Sequence, residues 1–127
     1  MGVGTSVKRL DAIQKVTGSA KYVEDLIPLD ALHMKVVHSS IANGLVTAID
    51  TTEAERMPGV ELIITCFDVP DVEFVTAGHP LSLAPAHADT RDKLILSKRV
   101  LYYGDDVAAV IADTPLNAQL AAEKVKV

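Results

Sequence analysis

Apolar positions in this chain fall into short runs of period two, broken at close intervals by Gly, Pro, Asn and Asp. In "ALHMKVVHS" (31–39), Leu32, Met34 and Val36 alternate with His33, Lys35 and Val37, which predicts a strand with one buried face. After a turn signal at Asn43-Gly44, "LVTAID" (45–50) predicts the next strand. "VELIITC" (60–66) is β-branched and bounded by turns, and "RVLYY" (99–103) and "VAAVIAD" (107–113) follow, the latter apolar on both faces. "SAKYVED" (19–25) predicts a shorter strand.

Two stretches predict helices. In "TTEAERMPG" (51–59), Thr52 with Glu55 three residues later matches a capping box, and Pro58-Gly59 stops the helix after one or two turns. Thr114 caps a second helix with Pro115 at its first position. Ala118, Ala121, Ala122 and Val125 share one face there, small enough for close packing on a sheet, with Leu116 and Leu120 beside it. Val125-Lys126-Val127 alternates like the start of another strand.

Residues 1–18 lack a sustained period and predict an extended N-terminal arm turning at Thr17-Gly18, with the folded domain over 19–127. Strand, helix and strand occur twice, which predicts an α+β domain: a mixed β-sheet with two helices packed on it. A strand beginning at the last residues predicts a domain truncated at its C-terminus. An unpaired edge there favours self-association. Residues 71–98 hold Gly78, Pro80 and Pro85 and little period before Leu94, a length of irregular chain that is usually functional or disordered.

Composition narrows the function classes. The 127 residues fit one domain, and 49% hydrophobic with 4% aromatic residues means an aliphatic core. A net charge of −5 gives no electrostatic footprint for nucleic acid. The longest apolar run, "VAAVIA" (107–112), is far below the roughly 20 residues of a membrane span. The first 20 residues carry no apolar signal-peptide core. The single cysteine, Cys66, excludes an internal disulfide, reads as a small buried hydrophobe and fits a cytoplasmic setting.

Candidate chemistry is sparse. "GVG" at 2–4 follows no strand and lacks the third glycine of a nucleotide loop. His33 and His38 fall on opposite faces of one strand, and His79 and His87 are separated by Pro80 and Pro85, so neither pair has zinc-ligand spacing. Asp105-Asp106 after Gly104 reads as turn chemistry. No catalytic, cofactor-binding or metal-ligating constellation follows from the residues alone. A stand-alone interaction domain and a small metalloenzyme built on the histidines remain as alternative classes.

Four ordered segments carry a resemblance. "KRLDAIQKVTGSAKYVEDL" (8–26), "HSSIANGLVTAIDTTEAERMPGVELIITCFDVP" (38–70), "FVTAGHP" (74–80) and "YYGDDVAAVIADTPLNAQLAAEKVKV" (102–127) together resemble the molybdenum-binding large subunit of the xanthine dehydrogenase/aldehyde oxidase family. The match is to its N-terminal α/β hammerhead domain, and "FVTAGHP" is most similar to the bacterial xanthine dehydrogenase branch. The resemblance implies a parent that hydroxylates purine-type heterocycles with a molybdopterin cofactor. Electrons would leave through iron–sulfur and FAD groups on partner subunits or domains. The family's catalytic glutamate, its glutamine beside the metal and its Gly-rich cofactor loops match no position here. The fragment is therefore expected to be structural and inactive, with the remaining molybdenum-binding domains as its partner. Segment 74–92, with Phe74, His79, Leu81 and Leu83, is the candidate wall of the substrate channel, and reads equally as a plain surface loop.

Overall fold

The computed structural model describes residues 3–75 and 91–127. Two compact units divide the chain, residues 1–31 and 32–127.

In the first unit, helix α1 (Ala12–Val16) stands where the sequence predicts an extended arm. Polar bonds hold this helix. Thr17 Oγ1 donates to the Ile13 carbonyl (2.7 Å), and the Ser19 and Ala20 amides both donate to the Gln14 carbonyl (2.9 and 3.0 Å). The strand expected over 19–25 does not form. Residues Glu24–Leu26 make a 3₁₀ turn, with the Tyr22 amide donating to the Asp25 carboxylate (2.9 Å). Tyr22-Val23 has strand-like residues, but local turn bonds satisfy the backbone instead.

The second unit is built on a three-stranded sheet in the order β1 (His33–His38), β5 (Asp106–Ala112), β3 (Val60–Thr65). The α+β class holds. Both pairings are antiparallel, so the parallel neighbours that a mixed sheet would add are absent among the described strands. β5 is central and apolar at alternate and intervening positions alike, so Val107, Ala108, Val110 and Ala112 are fully buried. Two shorter strands, β2 (Gly44–Leu45) and β4 (Arg99–Val100), pair antiparallel with each other. Run 99–103 therefore contributes two strand residues, and run 45–50 only Leu45, apart from the isolated bridge at Asp50.

Two helices pack on the sheet, as the sequence predicts. Helix α3 (Pro115–Ala122) touches all three long strands; helix α2 (Thr52–Glu55) touches β3 and α3. The Asn117 amide donates to the Thr114 hydroxyl (3.2 Å), the cap expected of Thr-Pro. Ala118 and Ala121 are fully buried, which lets the backbone lie close to the sheet. The α2 cap differs from expectation: Thr51 is the capping position, and the Thr52 amide donates to the Asp50 carboxylate (3.0 Å). The last residues do pair, through a bridge in which the Asp50 amide donates to the Lys126 carbonyl (2.8 Å) and Lys126 returns the bond (3.1 Å).

Register decides which side of β1 is buried. Lys35 and Val37 stand opposite Val110 and Ala108, on the face where Lys35, Val37, Gln119 and Ala122 line one hollow. Val37 is buried there, whereas Met34, on the side the alternation favours, is 65% exposed. Helix α3 covers the Val37 face, and the Met34 face is left partly open. Cys66 is buried in the core as expected, and burial pushes its thiol pKa up.

Candidate functional site

Of the four side chains expected to line a channel, Phe74 is placed by the structure; His79, Leu81 and Leu83 lie outside the described residues. Phe74 is half-exposed, and its backbone is paired with Lys93. The Phe74 amide donates to the Lys93 carbonyl (2.9 Å), and the Lys93 amide donates back (3.4 Å). Phe74 and Lys93 thus clasp the two ends of the segment that contains the other three.

Lys93 ties this clasp to the core. Its ammonium donates to the Asp105 carboxylate and to the Tyr102 hydroxyl (2.6 Å), and lies 4.9 Å from the Tyr102 ring centre. Asp105 is 1% exposed. Its carboxylate also accepts from Ser97 Oγ (3.2 Å) and from the amides of Leu101 (3.2 Å) and Asp106 (3.1 Å). Burial pushes the Asp105 carboxyl up, but the bonds from Lys93, Leu101 and Ser97 outweigh it and hold the pKa below the ordinary aspartate value. For Lys93, burial works downward, yet Asp105 and Tyr102 raise its pKa above the ordinary lysine value. Sequence reading placed Asp105 in a turn, and the turn is there, with Gly104 at φ +89. It missed the ion pair because Lys93 lies twelve residues away and leaves no local signal. The available hint was a carboxylate adjoining a strand apolar on both faces, where water cannot solvate it.

A second feature is an apolar hollow on the open sheet face. Met34, Val36, Ile64, Val69, Ile95, Leu96 and Ala109 line it together with Asp106. The paired carboxylates therefore differ: Asp105 is buried, whereas Asp106 is part-exposed and 3.0 Å from His38 Nδ1. Asp105 is saturated by its donors and forms no general base.

Neither feature fits a metal or a pterin cofactor. Among the described residues no three His, Cys, Asp or Glu side chains converge. The hollow is apolar, without the cluster of donors a phosphate-bearing cofactor needs. Among the described residues, too, no helix is long and apolar enough to cross a membrane. What this arrangement can do is tie Phe74 and Lys93 together and present apolar surface.

Comparison with known proteins gives these features a context. A profile of the aldehyde oxidase and xanthine dehydrogenase a/b hammerhead domain matches residues 17–127. The chain is 42% identical over 119 residues to a xanthine dehydrogenase molybdenum-binding subunit of Escherichia coli O157:H7, covering 94% of this chain and 16% of that protein. The aldehyde oxidoreductase structure from Desulfovibrio gigas superposes with a TM-score of 0.72 at 40% identity, covering 93% of this chain and 13% of that one. Quinoline 2-oxidoreductase from Pseudomonas putida 86 superposes with a TM-score of 0.77 at 28% identity, covering 97% and 15%. The chain thus spans about one sixth or less of the length of these relatives.

Proposed function

The chain belongs to the aldehyde oxidase and xanthine dehydrogenase family, as its α/β hammerhead domain, and on that premise we propose that it is the structural N-terminal domain of a cytoplasmic, molybdopterin-dependent hydroxylase of purine-type heterocycles. The cofactor, when bound, supplies the oxidation and lies on the rest of the molybdenum-binding polypeptide. Iron–sulfur and FAD partners carry the electrons away. This domain supplies shape.

The observation that carries the reading is the clasp. Phe74 and Lys93, which flank residues 76–90 in the sequence, pair with each other, and Lys93 is anchored to a buried carboxylate. Such an anchor is more than a plain surface loop requires. It suits a segment that must meet a neighbouring surface in one place, with Phe74, His79, Leu81 and Leu83 as wall of the substrate approach.

The test is kinetic and uses the full-length protein with a dye acceptor. Hypoxanthine and xanthine should give higher kcat/KM than quinoline-type heterocycles or simple aldehydes. Leu81→Ala and Leu83→Ala should change substrate affinity or preference while molybdenum content stays at the parent value. Unchanged kinetics across the panel in both variants would reject the wall. Aldehydes outperforming every purine would reject the purine assignment.

A further inference from the structure

Residues 3–31 contain no buried side chain. Ten large apolar side chains in this stretch are exposed, among them Leu10 (101%), Ile13 (74%) and Val16 (84%). Yet the stretch is locally specified. Arg9 and Lys15 both bond Asp11, and the Thr17, Ser19 and Ala20 bonds close the end of α1. Ile13 and Val16 lie three residues apart on α1, the spacing at which neighbouring side chains meet along one side of a helix, and Leu10 lies just ahead of its N-cap. Polar bonds shape the segment, and its apolar side chains have nothing to bury them within it. A segment without a core does not recover its ordering entropy alone.

The chemistry of the segment selects what covers it. It has four basic and four acidic residues, so its charges cancel. An anionic membrane surface or a nucleic acid would ask for a basic excess. The relatives align over 94% and 97% of this chain, so their match runs into this segment, and each has several times this chain's length beyond it. A groove on the same polypeptide meets the segment at an effective concentration on the order of millimolar, where a few short apolar anchors suffice. We propose that residues 3–31 are a docking segment, with Leu10, Ile13 and Val16 seated in an apolar groove of the molybdenum-binding remainder of the full-length polypeptide. This rests on the proposed function for the existence of that remainder. The mode is helix-in-groove recognition with closely spaced anchors.

The test uses the full-length protein carrying Ile13→Cys, Val16→Cys or Gln14→Cys, each labelled with a maleimide and read by peptide mass spectrometry. Native Ile13→Cys and Val16→Cys should label roughly tenfold or more slowly than Gln14→Cys, with equal rates after unfolding in guanidinium. Equal native rates overturn the proposal. Protection that grows with protein concentration assigns the groove to a second copy, and protection that appears only with anionic vesicles assigns the surface to lipid; either overturns it. Should a cysteine variant not fold, hydrogen exchange of the unsubstituted full-length protein over residues 8–29 decides, slow exchange supporting docking and fast exchange overturning it. Molybdenum content measured on the same sample separates the two readings. A metal-loaded protein with a freely labelled segment sinks docking alone, and a protected segment in a protein that binds no molybdenum sinks the proposed function alone.

Discussion

Lys93 and Asp105 form an ion pair in which the lysine side chain is 17% exposed and the carboxylate 1%, and the backbone of that lysine is the partner of Phe74. The Phe74–Lys93 bridge and the start of the central strand therefore share one charged contact. Removing one member of such a pair leaves the other desolvated and uncompensated. Asp105→Ala should cost roughly 3–5 kcal/mol, and Lys93→Met less, because Asp105 keeps donors from Ser97, Leu101 and Asp106. Urea midpoints at matched m-values check both. A loss below about 1 kcal/mol for Asp105→Ala, no more than a typical exposed pair contributes, would contradict a buried anchor.

The same pair sets a pH window. Asp105 has a lowered folded pKa, so its stabilisation is present above the unfolded value near 3.8 and is lost as pH falls through the folded value. Lys93 has a raised folded pKa, so its stabilisation is full below 10.5 and is lost as pH rises through the folded value. The stability difference between the native sequence and Asp105→Asn should be flat from about pH 5 to pH 10 and shrink outside that range. A difference that instead changed steeply near pH 7 would contradict the assignment.

Gly59 and Gly104 separate two kinds of glycine requirement. Both have positive φ, +78 and +89. A Cβ on Gly104 meets open space, so Gly104→Ala should cost only the left-handed backbone, about 1–2 kcal/mol. A Cβ on Gly59 would run into the Asp113 carboxylate and stand 2.6 Å from Asn117 Nδ2, breaking the 2.7 Å bond between them. Gly59→Ala should therefore be the more destabilising by roughly another 1 kcal/mol or more. Thermal melts of the two variants give the order.

At α3, Thr114→Ala should cost about 1 kcal/mol and Thr114→Ser much less, since serine keeps the hydroxyl that the Asn117 amide needs. Equal losses for the two would place the cost in packing of the methyl group rather than in the cap.

Local chemistry made β1, β3, β5 and α3 legible. Alternation, β-branched runs and a Thr-Pro start each act within a few residues, and the structure keeps them. What was hidden depends on distant partners. Runs 45–50 and 99–103 look like full strands, but only Gly44–Leu45 and Arg99–Val100 find each other. Which side of β1 is buried was decided by the packing of α3, not by the stronger alternation of Leu32, Met34 and Val36. At the candidate site, Phe74 was singled out for its apolar ring. Its role as one half of a clasp depends on Lys93, and the role of Lys93 depends on Asp105, neither within helical or hairpin reach. α1 was missed because its five residues are held by turn bonds around Thr17 and Ser19 rather than by an apolar stripe packed on a core.

On the proposed function, this domain contributes surface and shape while the chemistry lies on the rest of the polypeptide. Molybdenum content and dye-linked turnover of hypoxanthine and xanthine, measured side by side on the full-length protein and on residues 1–127, test it most directly. Stoichiometric molybdenum and turnover are expected for the full-length protein, and neither for residues 1–127. Molybdenum bound in stoichiometric amount by residues 1–127, or purine turnover by them, would contradict it.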